Sequence, residues 1–178
     1  MTEESPESSP ARAPFALWIY VALAVVALDQ LSKWAIVKWV PLYDRIRLLP
    51  FLNLTHQRNE GAAFSFLADA DGWQRWLFIA LALGISTVIV LWLWRLRTSR
   101  QLLLSAGLAL VLGGAIGNVI DRIRLGYVVD FVQVLIAGWP FPSFNVADSA
   151  ITIGAVLLIV DALFFSGKQQ STRVNLEL

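Results

Sequence analysis

The chain has 178 residues, 57% of them hydrophobic, a net charge of +1 and a mean hydropathy of +0.65. Soluble domains average about 45–50% apolar residues, and a chain this short cannot hide so much apolar surface in one core, so the composition predicts a mainly α membrane protein. There is no Cys and a single His, His56, which excludes disulfides, cysteine nucleophiles and multi-His metal sites; the net charge argues neither for nor against nucleic acid, no basic block suggests it, and no nucleic-acid partner is expected.

Residues 1–14 are polar and rich in Ser and Pro, and are expected to be a disordered tail. They lack a basic n-region, and no A-x-A pattern follows, so the first apolar run is expected to stay as an anchor. That first span, about 15–37, contains Asp29, Gln30 and Lys33. A carboxylate at mid-bilayer depth costs about 2.5–3.5 kcal/mol and needs a role or a partner. Asp29 and Lys33 lie one helical turn apart and read as an internal ion pair, with Lys33 snorkelling.

Residues 41–72 carry short alternating runs, Arg45-Ile46-Arg47-Leu48 and Asn53-Leu54-Thr55, with turn signals at Asn59-Glu60-Gly61 and Asp71-Gly72. They read as a small β-rich lobe on the membrane surface. The stretch from Asn59 to Ser65 supports two readings. It is a turn entering a strand, or Asn59 and the close-approach Gly61 grip a substrate backbone. His56, in a polar setting, reads as a surface residue.

The second span covers about 76–94 and the third about 102–120, joined by the densely basic turn Arg95-Leu96-Arg97-Thr98-Ser99-Arg100. Each span is close to the roughly 20 residues that cross about 30 Å of hydrocarbon. Gly113 and Gly117 form a small-xxx-small face for close packing. Asn118, Asp121 and Arg122 share one helix face, and Asp121 with Arg122 reads as a structural charge pair. Residues 124–144 are expected to be an interfacial segment; Asp130 sits there between Val129 and Phe131, where desolvation raises a carboxyl pKa. Pro140-Phe141-Pro142 stops any helix before the fourth span, about 146–165. Asn145 suits an N-cap, and Asp148 is placed where the macrodipole favours a negative charge. Asp161 lies near the far end of this span, and 168–178 are expected to form a C-terminal tail. An even number of spans puts both termini on one side. The basic turn and Lys168 point to the cytoplasm, although Lys38, Arg45, Arg47, Arg58 and Arg75 lie on the other side.

Taken singly, Asp130 reads as a surface acid and Asp148 as a helix-end acid. As a pair they offer chemistry. Two carboxyls about 3 Å apart cannot both ionise, so one holds a proton while the other is a base. Such a pair activates water and protonates a carbonyl oxygen with no Cys, His, metal or cofactor.

Five blocks, taken in order, resemble the lipoprotein signal peptidases, the type II signal peptidases of bacteria. They are Asp29-Gln30-Leu31-Ser32-Lys33, the stretch from Asn59 to Ser65, that from Gly113 to Arg122, Val128-Val129-Asp130-Phe131, and that from Phe144 to Ser149. The resemblance implies an inner-membrane aspartic protease with four transmembrane helices. It implies cleavage of prolipoproteins just before a diacylglyceryl-modified cysteine, on the periplasmic side and with both termini cytoplasmic. Asp130 and Asp148 match the catalytic aspartates. Asp29, Asn59, Asn118, Asp121, Arg122 and Asn145 match supporting polar residues, and Lys33 and Gly61 join them as candidates for substrate binding or dyad support. Segment 41–72 would be an extracytoplasmic β-cradle and 124–144 a mobile interfacial helix. Glu60 stands where the family often has a small or polar residue. The implied partners are lipid-modified prolipoproteins and membrane lipids, and a monomer is expected. Asp148, beside a helix N-terminus, is the expected base. The competing readings are a small proton-coupled transporter, since intramembrane carboxylates also mark proton relays, and an assembly factor docking through Gly113 and Gly117.

Overall fold

The structure is a computed structural model and describes residues 14–61, 72–97 and 101–165. Residues 1–13 and 168–178 of the expected tails, 62–65 of the Asn59 block and 98–100 of the basic turn lie outside the described residues.

Among the described residues, four helices are long and apolar enough to cross a membrane: α1 (Phe15–Trp39), α2 (Trp73–Leu96), α3 (Leu102–Leu125) and α4 (Val146–Phe164). Their outer faces expose large apolar side chains such as Leu23, Leu91, Val156 and Ile159, as a lipid-facing surface does. Cations lie over aromatic rings near the helix ends: Lys38 over Trp34 at 4.8 Å, Arg75 over Trp76 at 5.0 Å and Arg97 over Trp94 at 3.9 Å. Aromatic and basic side chains gather in this way at the water–lipid boundary.

The most enclosed helix is α3, which packs against all three others. Its small residues allow this. A Cβ on Gly113 would lie 2.7 Å from Ala22 O of α1, and one on Gly117 would lie 2.7 Å from Asp29 Oδ2. Gly114 meets the Ala147 backbone of α4 in the same manner. Lipid tails are as apolar as Leu, so close backbone approach supplies the packing energy that a hydrophobic effect cannot.

The strands among the described residues connect helices at one end of the bundle: β1 (Arg45–Leu49), β2 (Leu52–Asn59), β3 (Val128–Ile136) and β4 (Trp139–Pro140), antiparallel in that order. Helix α3 stops at Gly126, whose φ of 90° suits a glycine C-cap. The chain turns directly into β3, whose run of valines favours a pleated surface. Residues 124–144 therefore do not form the helix implied by the resemblance. Arg124 and Leu125 end α3, and most of the remainder is strand. A two-residue turn at Ala137 and Gly138, both at positive φ, closes the β3–β4 hairpin.

His56 is a second correction. It is buried, 6% exposed, with Nδ1 2.9 Å from the Val40 carbonyl at the end of α1. The β2–β3 register shifts between Leu54 and Gln57, and this bulge places Thr55 and His56, adjacent in sequence, both inside.

Candidate active site

Asp130 is the third residue of β3, paired across the sheet with Gln57. Asp148 is in the first turn of α4, where Asn145 is the N-cap. A capping box holds this turn. Asp148 N donates to Asn145 Oδ1 at 2.9 Å, and Asn145 N donates to Asp148 Oδ2 at 3.2 Å. Asn145 has no exposed surface, and its Nδ2 also donates to Asp130 Oδ1 at 2.7 Å. One asparagine thus touches both aspartates.

Two further amides complete the arrangement. Asn59, the last residue of β2, donates to Asp130 Oδ2 at 2.9 Å. Asn118 of α3 donates to Asp148 Oδ1 at 2.8 Å. Every carboxylate oxygen of the two acids therefore accepts an N–H. Gly61 N donates to Asn59 Oδ1 at 3.1 Å, which fixes which end of the Asn59 amide faces Asp130.

Both acids line a cavity of about 1140 Å³ at the sheet end of the bundle. Its other walls include Arg58, Arg122, Phe141, Phe144 and Ile151. Asp130 is 3% exposed. Burial, reinforced by the neighbouring Asp148 charge and opposed by the donors Asn59 and Asn145, pushes its pKa up to about 7. Among the described residues, no group of three His, Cys, Asp or Glu side chains is placed to share a metal ion.

Behind the cavity lies a buried charge cluster. Lys33 Nζ is 2.8 Å from Asp29 Oδ2 and 3.0 Å from Asp121 Oδ2. The Asp29–Lys33 pair is formed as expected, but Lys33 does not snorkel; it is 3% exposed and turned inward. Asp29 also accepts from Ala147 N at 2.9 Å, and Asp121 accepts from Val129 N at 3.1 Å. The cluster ties α1, α3, α4 and β3 together at the point where the two acids are mounted.

The expected Asp121–Arg122 pair is not formed. Adjacent helical residues point about 100° apart, so Asp121 meets Lys33 while Arg122 turns to Gly61. Arg122 Nη2 donates to Gly61 O at 3.0 Å, and its guanidinium lies over Phe78 at 5.2 Å.

Gln30 is a site residue that the sequence reading misses. Its Nε2 reaches Asp29 Oδ2 at 3.2 Å, Gly117 O at 3.2 Å and Asp121 Oδ1 at 2.9 Å. An amide beside an acid inside an apolar span was the available signal. Arg45, Gln57 and Arg58 line the cavity from the sheet, where the sequence marks Arg45 and Arg58 only as loop charges and Gln57 not at all.

The fold and the acids in the cavity point to a class, the membrane-embedded aspartic peptidases. The family model described as Signal peptidase (SPase) II matches residues 21–164. The lipoprotein signal peptidase of Shewanella baltica (strain OS155 / ATCC BAA-1091) is 51% identical over 154 residues, which cover 86% of this chain and 89% of that protein. The lipoprotein signal peptidase of Acinetobacter baylyi is 45% identical over 161 residues, 90% of this chain and 89% of that protein. A bacterial membrane enzyme solved by the in meso method at 2.3 Å resolution superposes with a TM-score of 0.72 at 34% identity, covering 83% of this chain and 88% of its own. The chain belongs to the signal peptidase II family.

Proposed function

We propose that this chain removes signal peptides from diacylglyceryl-modified prolipoproteins, cutting before the lipidated cysteine, with Asp130 and Asp148 as the catalytic pair. The observation that carries this reading is Asn145 bonded to both acids at the wall of one cavity. The family supports proteolysis and leaves the transporter reading without support.

The raised pKa of Asp130 makes it the acid that keeps the shared proton. Asp148 is the base, in a helix first turn that favours its charge. Asp148 takes a proton from water as the water oxygen attacks the scissile carbonyl carbon. Asp130 gives its proton to the carbonyl oxygen, forming a gem-diol. Asp148 then protonates the leaving nitrogen, the C–N bond breaks, and Asp130 recovers a proton from a diol hydroxyl. The step is complete with two carboxyls and one water.

Asn59, Asn118 and Asn145 orient the pair. Asp29, Lys33 and Asp121 lock the helices beneath it, while Arg122 and Gly61 tie the end of β2 to α3. Substrate lies extended along the cavity with its acyl chains in the bilayer, against the Phe141, Phe144 and Ile151 wall. Anchoring in the membrane fixes its depth and lowers the entropic cost of alignment. We place the chain in the bacterial inner membrane as a monomer, with both termini in the cytoplasm and the site on the periplasmic side. The basic residues Arg95 and Arg97 at the opposite end of α2 support that orientation.

The test is a gel shift. Purified chain in lipid should shorten a diacylated precursor and leave the unlipidated one intact. A precursor of unchanged length after long incubation would overturn the reading.

A further inference from the structure

Lys33 lies outside the cavity lining, yet it touches a residue that holds Asp148. Asn118 Oδ1 accepts from Lys33 Nζ at 3.0 Å, while Asn118 Nδ2 donates to Asp148 Oδ1 at 2.8 Å. A side-chain amide has a donor end and an acceptor end that exchange places on a half-turn. An ammonium only donates. Turning Asn118 would set its NH2 against the Lys33 ammonium and its oxygen against the Asp148 carboxylate.

No other contact fixes the amide as firmly. Asn145 Nδ2 also approaches Asn118 Oδ1, at 3.3 Å, but divides its two hydrogens among that oxygen, Val129 O at 3.3 Å and Asp130 Oδ1 at 2.7 Å. Lys33 itself is held by Asp29 and Asp121, and Gln30 bonds both of those acids.

We propose that Lys33 is a positioning residue that decides which aspartate keeps the proton: by locking the Asn118 amide it holds Asp148 as the base and leaves the proton on Asp130. This rests on the catalytic pair proposed above. A donor to a carboxylate favours its charged form, and Lys33 guarantees that Asp148 always meets the donor end. The other charged groups around Asp148 are Asp130 from β3, Arg122 from α3, and Arg45 and Arg58 from the sheet side of the cavity. None of them bonds Asn118 Oδ1.

The experiment is a kcat/KM against pH profile on a diacylated precursor in lipid nanodiscs. Lys33→Met is made together with Asp29→Asn, which removes one buried charge of each sign and preserves the balance. The acidic limb, which the coupled pair sets as a unit, is expected to move upward by about one pH unit. Asn118→Ala should move it equally, and combining the changes should move it no further. Lys33→Gln in the Asp29→Asn background keeps an N–H for Asn118 and should restore the wild-type limb. A lower plateau with the limb unmoved, or shifts that add, would overturn the inference while leaving the catalytic pair intact. Near-normal turnover by Asp148→Asn would overturn the pair and this inference with it.

Discussion

Asn145 and Asp148 hold each other through reciprocal bonds, the asparagine accepting from the aspartate backbone at 2.9 Å and the aspartate accepting from the asparagine backbone at 3.2 Å. The same asparagine donates to Asp130. A helix cap and the coupling of two acids are therefore one structure, and the two duties can be separated by mutation.

Asn145→Ser keeps a capping oxygen but is too short to reach Asp130; Asn145→Ala keeps neither. Both should cut turnover at least about 100-fold, the scale of a lost orienting or acid–base contribution. The alanine variant should also be less stable than the serine variant by about 1 kcal/mol. Thermal unfolding in detergent, read beside precursor cleavage, checks both halves.

The elevated pKa of Asp130 sets a pH dependence. In the proposed step the reactive form has Asp130 protonated, so cleavage should decline as pH rises through about 7. Folded Asp130 binds its proton more tightly than the ordinary carboxyl, whose value is 3.8. Between those values the folded state carries the extra proton, so stability falls as pH rises and levels off above about 7. The Tm of wild type should fall over the same interval relative to that of Asp130→Asn, which has no proton to lose there.

Gly117 faces Asp29 with no room for a methyl group. Gly117→Ala should force α1 and α3 apart at the Lys33 cluster and destabilise the protein by about 1–3 kcal/mol. Gly84 has open space around its Cβ position, and Gly84→Ala on α2 is the matched control. A thermal-shift comparison in one detergent distinguishes them.

Chelation should not matter to the proposed step, which two carboxyls and one water complete. Dialysis against EDTA is expected to leave cleavage unchanged, and loss restored by a divalent cation would redirect the mechanism to a metal.

Much of the architecture was legible because it depends on local composition. Apolar length marks α1 to α4, and Gly113 with Gly117 marks the packing face of α3. Asn145 ahead of Val146 announces an N-cap. The remainder depends on contacts between distant segments. Val128 to Ile136 is apolar enough for an interfacial helix, and only pairing with β2 makes it a strand. His56 is buried by a bulge in that pairing. Lys33 turns inward because Asp121 and Asn118 wait on α3, so nothing within the first span distinguishes it from a snorkelling lysine. Asp130 and Asp148 each look ordinary alone, and their approach to one cavity depends on how β3 and α4 are packed, which no local pattern carries.

The most direct measurement is single-turnover cleavage of a diacylated precursor by Asp130→Asn and by Asp148→Asn, each confirmed to be inserted and folded in nanodiscs. Each variant is expected to lose cleavage by at least about 1,000-fold, consistent with removal of a group that acts as part of a unit. Cleavage within a few fold of wild type by either variant would contradict the account.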